Sequence, residues 1–225
     1  MDAKRSIKDL LYEQVATVSK AVASPKRLEL IELLCQSEKT VETLAEQAQI
    51  SIKLASAHLR HLKSARLVAS RRDGKYMHYR LIDRTVADFW VSLRELAEER
   101  LLELQQGLSK LAGGERVLDG LDRRALLDRA RRGEIVVLDV RPEAEFRASH
   151  LPFARSMPLL ELRRRLNQLP RSKPIVAYCR GPFCLMAGEA VELLRKKGFD
   201  AHRLEDGVAE WRYRGLPVEA QEGER

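Results

Sequence analysis

Two adjacent glycines, Gly113 and Gly114, divide the chain into halves whose apolar residues follow different patterns. Before them, apolar residues recur mainly at helical spacing, whereas after them short continuous apolar runs alternate with amphipathic segments. Paired glycines end helices and let the chain change direction, and 225 residues accommodate two small domains. We therefore predict a first domain over residues 1–112, a linker over 113–117 and a second domain over 118–225.

The first half contains a short helix, a turn and a basic helix in succession. Thr40 is predicted to cap the short helix, Gln49 and Ile50 to form the turn, and Ser51 to cap a helix over residues 52–64. This last helix has one apolar face and one polar, basic face. The order is that of a helix-turn-helix, whose second helix enters the major groove of DNA.

Two runs of alternating apolar and polar residues follow and flank Asp73-Gly74, which predicts a hairpin. Between Lys53 and Arg84 the chain carries nine Lys and Arg residues and two acids, a net charge of +7, while the whole chain carries +8. A basic face exposed to solvent is an alternative explanation of the charge, but it would not explain the pattern of helices and hairpin. The concentration of charge on a helix-turn-helix and a hairpin favours a winged helix that binds double-stranded operator DNA.

The predicted DNA contacts divide between the basic helix, here called the recognition helix, and the hairpin, here called the wing. Those of the recognition helix are Ser51, Lys53, Ser56, Ala57, His58, Arg60 and His61. Those of the wing are Arg71, Arg72 and Lys75, which we expect to lie against phosphate or the minor groove.

A long helix is predicted from Arg84 or Thr85 to about Leu111. An apolar seam with intervals of three and four residues runs along it, formed by Trp90, Leu93, Ala97, Leu101, Leu104, Leu108 and Leu111. The seam suits packing against another helix, from the same chain or from a second subunit. Because one winged helix makes a small footprint on DNA, we favour a homodimer that reads two half-sites.

Residues of about 7–110 resemble the ArsR/SmtB family of bacterial repressors, through ASPKRLELIELL, TVETLAEQAQISIKLASAHLRHLKSARLV and SRRDGKYMHYRL. The resemblance implies a dimeric winged helix that an inducer releases from operator DNA. The usual inducer sites are not matched, since SEKTVETLAEQ has no cysteine and the last helix has no histidine. Cys35 matches the first cysteine of sulfide-responsive members, but the last helix contains no cysteine to match the second, so we interpret Cys35 as a small buried apolar residue.

In the second half, continuous apolar runs at residues 135–140 and 174–178 predict buried parallel strands. The amphipathic segments around them predict helices on both faces of a parallel sheet. The second run continues directly into Cys179-Arg180-Gly181-Pro182-Phe183-Cys184, which a predicted helix over residues 185–197 follows. Open α/β sheets place their sites at such strand ends.

Cys179 is therefore predicted to lie in a tight loop whose backbone N–H groups, with the N-terminus of the next helix, favour the thiolate. Such a thiolate suits attack on sulfane sulfur, after which it would carry a persulfide. Cys184 stands five residues later, and we expect it to attack an oxidised or persulfidated Cys179 and form a disulfide or polysulfide bridge. The alternative is a buried Cys184 that never reacts.

Residues of about 118–218 resemble the rhodanese superfamily through VVLDVRPEAEFRASHLPFARSMPL, KPIVAYCRG and LEDGVAEWRYRGLPV. The resemblance places the nucleophile at Cys179, and it matches Asp139, Arg141, Glu145 and His150 to framework positions, which we interpret as structural. Where many active members have an arginine that binds the substrate oxyanion, this chain has Cys184. The missing guanidinium counts against ordinary thiosulfate transfer, phosphate-ester cleavage and arsenate reduction, although Arg180 could replace part of it.

The sequence thus predicts an α+β winged helix-turn-helix domain followed by an α/β rhodanese-like domain with a parallel sheet. We expect a repressor in which a small sulfur species or an oxidant reacts at Cys179, Cys184 and Arg180 and changes DNA binding through the long helix. Two alternatives stay open. One is a sulfurtransferase with Cys179 as nucleophile, and the other is an arsenic- or metal-responsive repressor that uses both thiolates.

Three cysteines and the absence of any 18-residue apolar run predict a cytoplasmic protein with reduced thiols and no membrane segment. The charged, helical N-terminal sequence has no signal-peptide pattern. No cofactor and no resident metal ion are expected.

Overall fold

The computed structural model describes residues 3–111 and 122–221. Its contacts divide the chain into two compact units, Met1–Trp90 and Val91–Arg225. The predicted linker over residues 113–117 lies outside the described residues.

Within residues 3–90, four helices accompany a three-stranded antiparallel sheet, and a fifth helix begins. In chain order the elements are α1 (Ala3–Val22), α2 (Pro25–Gln36), β1 (Lys39–Thr40), α3 (Val41–Gln47), α4 (Ile52–Ser64), β2 (Val68–Asp73), β3 (Tyr76–Leu81) and α5 (Arg84–Arg100). The strand order in the sheet is β1-β3-β2. Leu30 of α2, Leu44 of α3 and Leu59 of α4 are fully buried, so these helices share one core.

The predicted caps of the helix-turn-helix are confirmed. The Thr40 hydroxyl accepts a hydrogen bond from the backbone N–H of Thr43 at 3.1 Å, and the Ser51 hydroxyl accepts one from Leu54 at 3.2 Å. Each cap satisfies an N–H that has no partner within its helix. Gln49 adopts a φ of 51° in the turn between α3 and α4.

The hairpin is confirmed, with its turn one residue later than the sequence predicts. Asp73 pairs with Tyr76, so Gly74 and Lys75 form the two-residue loop. Gly74 has a φ of +56°, a conformation that glycine adopts without strain.

The prediction of one long helix is wrong, because the helix is interrupted at Leu101. It consists of α5 (Arg84–Arg100) and α6 (Leu102–Leu111). At the break, the carbonyl oxygen of Glu98 accepts a hydrogen bond from the Gln105 side chain at 2.7 Å. A side-chain donor competing for a helical carbonyl is a local cause that apolar periodicity does not reveal.

The described part of the second unit contains a four-stranded parallel sheet with order β5-β4-β6-β7. After the end of α5 and α6, its elements are α7 (Arg123–Arg131), β4 (Val136–Asp139), α8 (Glu143–Ala148), β5 (Arg155–Ser156), α9 (Leu159–Arg165), β6 (Ile175–Tyr178), α10 (Met186–Lys196), β7 (Ala201–Arg203) and α11 (Val208–Tyr213). One apolar cluster joins α9 and α10 to one face of the sheet, and another joins α7 and α11 to the other face. The predicted α/β layering is therefore confirmed.

None of the helices formed by residues 3–111 and 122–221 combines the length and apolar character needed to cross a membrane.

Candidate functional site

The cysteine loop, Cys179–Cys184, begins where β6 leaves the sheet and ends just before α10. The backbone N–H of Cys184 donates to the carbonyl oxygen of Gly181 at 3.1 Å, which closes a tight turn. Gly181 has a φ of +145°, so the turn uses a backbone conformation that residues with a side chain rarely adopt. The loop therefore curls its two cysteines toward each other.

Cys179 is buried, with 2% of its surface exposed, whereas Cys184 is half-buried. The Cys179 sulfur lies 3.6 Å from the carbonyl oxygen of Cys184 and 4.0 Å from that of Gly181. Both thiols are free of disulfide bonds. They are close enough for each thiol to change the pKa of the other.

The two thiols have opposite tendencies to ionise. The pKa of Cys184 is lowered to about 6, first by the hydrogen bond from Cys179 and further by backbone N–H groups of Arg180 and Met186. Burial raises the pKa of Cys179 well above its usual range, and the charge on Cys184 adds to this effect. The pair therefore holds one proton and one negative charge at neutral pH.

Arg180 belongs to the loop, but its guanidinium lies on Glu145. Its Nη2 is 2.7 Å from one Glu145 oxygen, and its Nε is 3.0 Å from the other. Glu145 is fully buried and belongs to α8. This ion pair fixes the position of the Arg180 guanidinium, and its charge helps to lower the pKa of Cys184.

The framework positions behind the loop form buried polar contacts. Asp139 and Arg141 are a fully buried ion pair with a 2.6 Å contact, and the Tyr178 hydroxyl donates to Asp139 at 2.5 Å. His150 stacks on Phe146, with ring centroids 3.9 Å apart. These contacts support the structural interpretation of the framework residues.

Three residues at or beside the loop, Gly207, Glu210 and Arg203, are not predicted from the sequence. Gly207 packs so closely that an added Cβ would lie 2.5 Å from the carbonyl oxygen of Arg180. Glu210 accepts a hydrogen bond from the Gly207 N–H at 2.8 Å. On β7, Arg203 donates to the carbonyl oxygens of Pro182 at 2.9 Å and Cys184 at 3.4 Å.

Within the second unit, the end of α5 also contacts this site through Arg94. Arg94 Nη2 lies 3.2 Å from a Glu210 oxygen, and both side chains are 3% exposed. The Arg94 guanidinium lies 5.9 Å from the centre of the Phe183 ring in the cysteine loop. The sequence offered one sign that Arg94 has a special role. It lies beside the apolar seam of the predicted long helix, where an apolar residue is more usual.

The recognition helix is α4, and most of its predicted contact residues are accessible. Lys53, Arg60 and His61 are exposed, and Ser56, Ala57 and His58 are half-buried. Ser51 is exposed, although its hydroxyl caps α4. Burial, followed by the charge of Arg27, lowers the pKa of His58, so His58 is neutral at pH 7 and suits a hydrogen bond to a base better than charge neutralisation of phosphate.

The three predicted wing contacts are exposed, but they differ in how they are held. Arg71 pairs with Glu38 at 2.6 Å and with Asp73 at 3.1 Å. Arg72 donates to the backbone carbonyl oxygen of Gly74 at 3.0 Å, and the Lys75 ammonium lies over the Tyr76 ring, 5.2 Å from its centre. Of the three, Arg72 and Lys75 have no carboxylate contact among the described hydrogen bonds and ion pairs.

Fold and sites together define a DNA-binding regulator of the winged-helix type that carries a rhodanese-like domain. A family model for arsR-family bacterial regulatory proteins matches residues 24–70, and one for rhodanese-like domains matches residues 122–214. The HTH-type transcriptional regulator Rv0324 of Mycobacterium tuberculosis is 40% identical over 212 residues, which cover 94% of this chain and 93% of that protein. The chain belongs to the ArsR/SmtB-type transcriptional regulators with a rhodanese domain.

Two further proteins are similar to one half each. A sulfurtransferase of Allochromatium vinosum is 28% identical over 91 residues, which cover 40% of this chain and 83% of that protein. The solution structure of a DNA-binding fragment of Mb0332 from Mycobacterium bovis, described as homodimeric and winged helix-turn-helix, is 38% identical. It covers 43% of this chain and 89% of that chain, with a TM-score of 0.40.

Proposed function

We propose that this regulator is a homodimeric cytoplasmic repressor that reactive sulfur species or thiol oxidation releases from operator DNA. The observation that carries the proposal is the pair Cys179 and Cys184, two free thiols within one tight loop. A thiolate beside a second thiol can react with a sulfane sulfur or a peroxide, and the second thiol can then close an intramolecular disulfide.

The surroundings of the loop favour a sensor over an enzyme that turns over an oxyanion. Cys184 stands where many rhodaneses have an arginine, and Arg180 is held by the buried Glu145. Without a free guanidinium at the thiols, an anion such as thiosulfate has no bidentate partner in the loop. A neutral or singly charged sulfur species needs none.

Side-chain contacts that connect the cysteine loop to α5 support the proposed regulatory role. Phe183 lies between the two cysteines in sequence and contacts Arg94, which also pairs with Glu210. A bridge between Cys179 and Cys184 has to move the loop that carries Phe183, since the two thiols are free and a disulfide requires a specific, shorter geometry. The displacement changes the contacts that α5 makes in one thiol state relative to the other.

The DNA-binding half supplies the output of the proposed switch. We propose base or phosphate contacts from the recognition helix and phosphate contacts from the wing, at the residues named above. Exposed apolar side chains at intervals of four residues on α1, at Ile7, Leu11 and Val15, support a second subunit as the partner of that face.

The test measures fluorescence anisotropy on a DNA fragment selected by this protein from a random pool, with and without inorganic polysulfide. The wild type, Cys179→Ser and Cys184→Ser are compared, with Cys35→Ser as the matched control, and intact masses are read on the same samples. We expect polysulfide to weaken DNA binding of the wild type and of Cys35→Ser, and to leave both loop variants bound.

Release that persists in both loop variants would contradict the proposal. So would unchanged DNA binding while the loop passes sulfur repeatedly to cyanide, which would identify a DNA-tethered sulfurtransferase. Release of DNA by arsenite but not by polysulfide would instead support the metal-responsive alternative.

A further inference from the structure

Arg203, at the end of β7, is a buried cation without a carboxylate partner among the described residues. It is 3% exposed, and its Nη2 donates to the carbonyl oxygens of Pro182 at 2.9 Å and Cys184 at 3.4 Å. Its Nε is buried and has no hydrogen-bond partner in the described part of the chain. An arginine stays charged inside proteins, and a buried charge is normally paired with an opposite one. The charge of Arg203 is therefore available to an anion that forms beside it.

The other charged side chains around the cysteine loop already form ion pairs. The matched pairs are Arg180 of the loop with Glu145 of α8 at 2.7 Å, Arg94 of α5 with Glu210 of α11 at 3.2 Å, and Asp139 of β4 with Arg141 at 2.6 Å. The first turn of α10, residues 186–188, carries no charge. Of these four guanidinium groups, Arg203 is thus the one whose charge the described residues do not balance.

Arg203 lies on the same side of the sheet as Cys179. Residues two apart on a strand share a face, and Ala201 of β7 belongs to the apolar cluster that contains Cys179. The carbonyl oxygen of Cys184 accepts from Arg203 and also lies 3.6 Å from the Cys179 sulfur. On the other side of the guanidinium, Nη1 is 4.0 Å from the place that a Cβ at Gly188 would occupy, in the first turn of α10. The cation is therefore a close neighbour of the Cys179 sulfur.

A sulfur donor converts Cys179 into a group that carries a negative charge. With hydrogen disulfide as donor, the Cys179 sulfur attacks one donor sulfur, the S–S bond of the donor breaks, and the leaving HS⁻ takes the thiol proton as H₂S. The Cys179 sulfur is oxidised, one donor sulfur is reduced to H₂S, and the other becomes the outer sulfur of the persulfide. A persulfide S–H is more acidic than a thiol, so it gives its proton to solvent. The anion that remains needs a cation in this buried site.

We propose that Arg203 supplies the positive charge that holds the persulfide of Cys179 as an anion. The inference rests on the proposed function and names the residue that stabilises the sulfur-bearing state of the same site. Arg203 is a positioning residue, because it acts through its charge and through the Cys184 carbonyl oxygen. Since it is buried, it serves an anion formed on Cys179 and not a dianion that arrives from solvent.

The test uses the full-length Cys35→Ser/Cys184→Ser protein, in which Cys179 is the only cysteine. Inorganic polysulfide is added, intact mass confirms one added sulfur atom, and iodoacetamide rates between about pH 4 and about pH 9 give the midpoint for ionisation of the persulfide. Arg203→Gln keeps a hydrogen-bond donor without the charge, and Arg203→Lys keeps the charge without the planar fork. We expect Arg203→Gln to raise the midpoint by at least about one unit and Arg203→Lys to leave it near the parent value.

Arg195→Gln is the matched control, because Arg195 also donates to a backbone carbonyl oxygen, that of Ala201 at 2.8 Å at the beginning of β7. We expect it to leave the midpoint unchanged. Thermal unfolding shows whether each variant is folded. A comparison that needs no substitution at Arg203 sets the parent protein beside glutathione persulfide in the same buffer. Burial alone would raise the midpoint of the protein persulfide above that of the free one, whereas the charge of Arg203 is expected to keep it at or below.

An unchanged midpoint in Arg203→Gln, or a parent midpoint well above that of glutathione persulfide, would overturn the inference. An equal rise in Arg203→Gln and Arg203→Lys would also overturn it, since the role of Arg203 would then be to tie the loop carbonyls and not to supply charge. The proposed function survives these results if polysulfide still releases DNA. If the midpoint shifts as expected while DNA binding ignores polysulfide, the role of Arg203 is supported and the proposed function fails. Absence of added sulfur on Cys179 would contradict both.

Discussion

At the scale of single residues, the cysteine loop depends on buried charges that are matched one to one. Arg141 is held by Asp139, and Arg180 by Glu145, and three of these four side chains are fully buried. Removing one partner leaves an uncompensated charge in a medium of low polarity. The framework residues thus serve function by keeping the loop in place.

Asp139→Asn is expected to destabilise the protein strongly, because Arg141 would keep its charge without a carboxylate. Breaking a buried pair of this kind costs about 3–5 kcal/mol. Urea unfolding followed by tryptophan fluorescence measures the loss, with Glu134→Gln as the control at a fully exposed ion pair with Arg132. Equal midpoints for the two variants would show that the buried pair contributes nothing.

The reactivity of the loop is expected to fall at acidic pH, in the range set by the lowered pKa of Cys184. Since the pKa of Cys184 is about 6, reactivity is complete above pH 7 and falls as the pH decreases through 6. Iodoacetamide rates on the Cys35→Ser protein between about pH 5 and about pH 9 measure this profile. An ordinary thiol would instead keep gaining rate through the upper end of that range.

At the scale of secondary-structure elements, α5 is the element that both units contain. It begins at Arg84 in the first unit, and its residues from Val91 onward belong to the second. In the second unit it contacts α11 at three points, since Ser92 bonds Tyr213 at 2.8 Å and Glu95 bonds Arg214 at 2.5 Å, in addition to the Arg94–Glu210 pair. A change at the cysteine loop therefore reaches α5 through side-chain contacts and not only through the chain connection.

The double variant Arg94→Met/Glu210→Gln is expected to separate thiol chemistry from DNA release. Replacing both members avoids leaving one buried charge alone, so the fold is retained. Polysulfide should still form the bridge between Cys179 and Cys184, while the change in DNA affinity is reduced at least about fivefold.

Arg100→Met, at an exposed arginine of the same helix, is the control for that measurement. Intact mass reports the bridge, and anisotropy reports DNA affinity. Undiminished release by the double variant would show that α5 does not receive the signal through Arg94.

At the scale of the whole molecule, DNA affinity is expected to depend on exposed charge that the protein has not already neutralised. Arg72→Ala and Lys75→Ala should each weaken DNA binding about equally on all sequences and reduce the salt slope by about one. Arg71→Ala should have the smaller effect, because Arg71 is paired with Glu38 and Asp73.

Anisotropy titrations over a range of salt concentrations measure these slopes, with Arg132→Ala in the second unit as the control. If Arg132→Ala weakened binding as much as Arg72→Ala, the wing would have no special role.

The exposed apolar face of α1 is expected to be covered by a second subunit. Leu11 is 62% exposed and lies one turn from Ile7 and one turn from Val15. Leu11→Glu should give a monomer in sedimentation velocity and weaken operator binding at least about tenfold, because one subunit reads one half-site. Lys20→Glu on the same helix is the control, and a dimeric Leu11→Glu protein would contradict the prediction.

Features set by residues that are close in the chain could be predicted from the sequence, whereas features set by distant residues could not. Thr40 and Ser51 were identified as caps because a cap depends on residues three positions away, and the buried strands were identified from continuous apolar runs. The break at Leu101 was missed, since it depends on the Gln105 side chain reaching Glu98. The contacts of Arg94 with Glu210 and of Arg203 with Pro182 were missed because they join residues that are distant in sequence.

The sequence by itself determined the two-domain architecture, the winged helix, the parallel sheet and the loop that contains both cysteines. These depend on periodicity, caps and turns, which act over a few residues. Only the tertiary structure decided that Cys179 is buried while Cys184 is half-buried, and that the Arg180 guanidinium pairs with Glu145. Burial and the direction of a side chain depend on elements brought together from distant parts of the chain, and these set the pKa of each thiol.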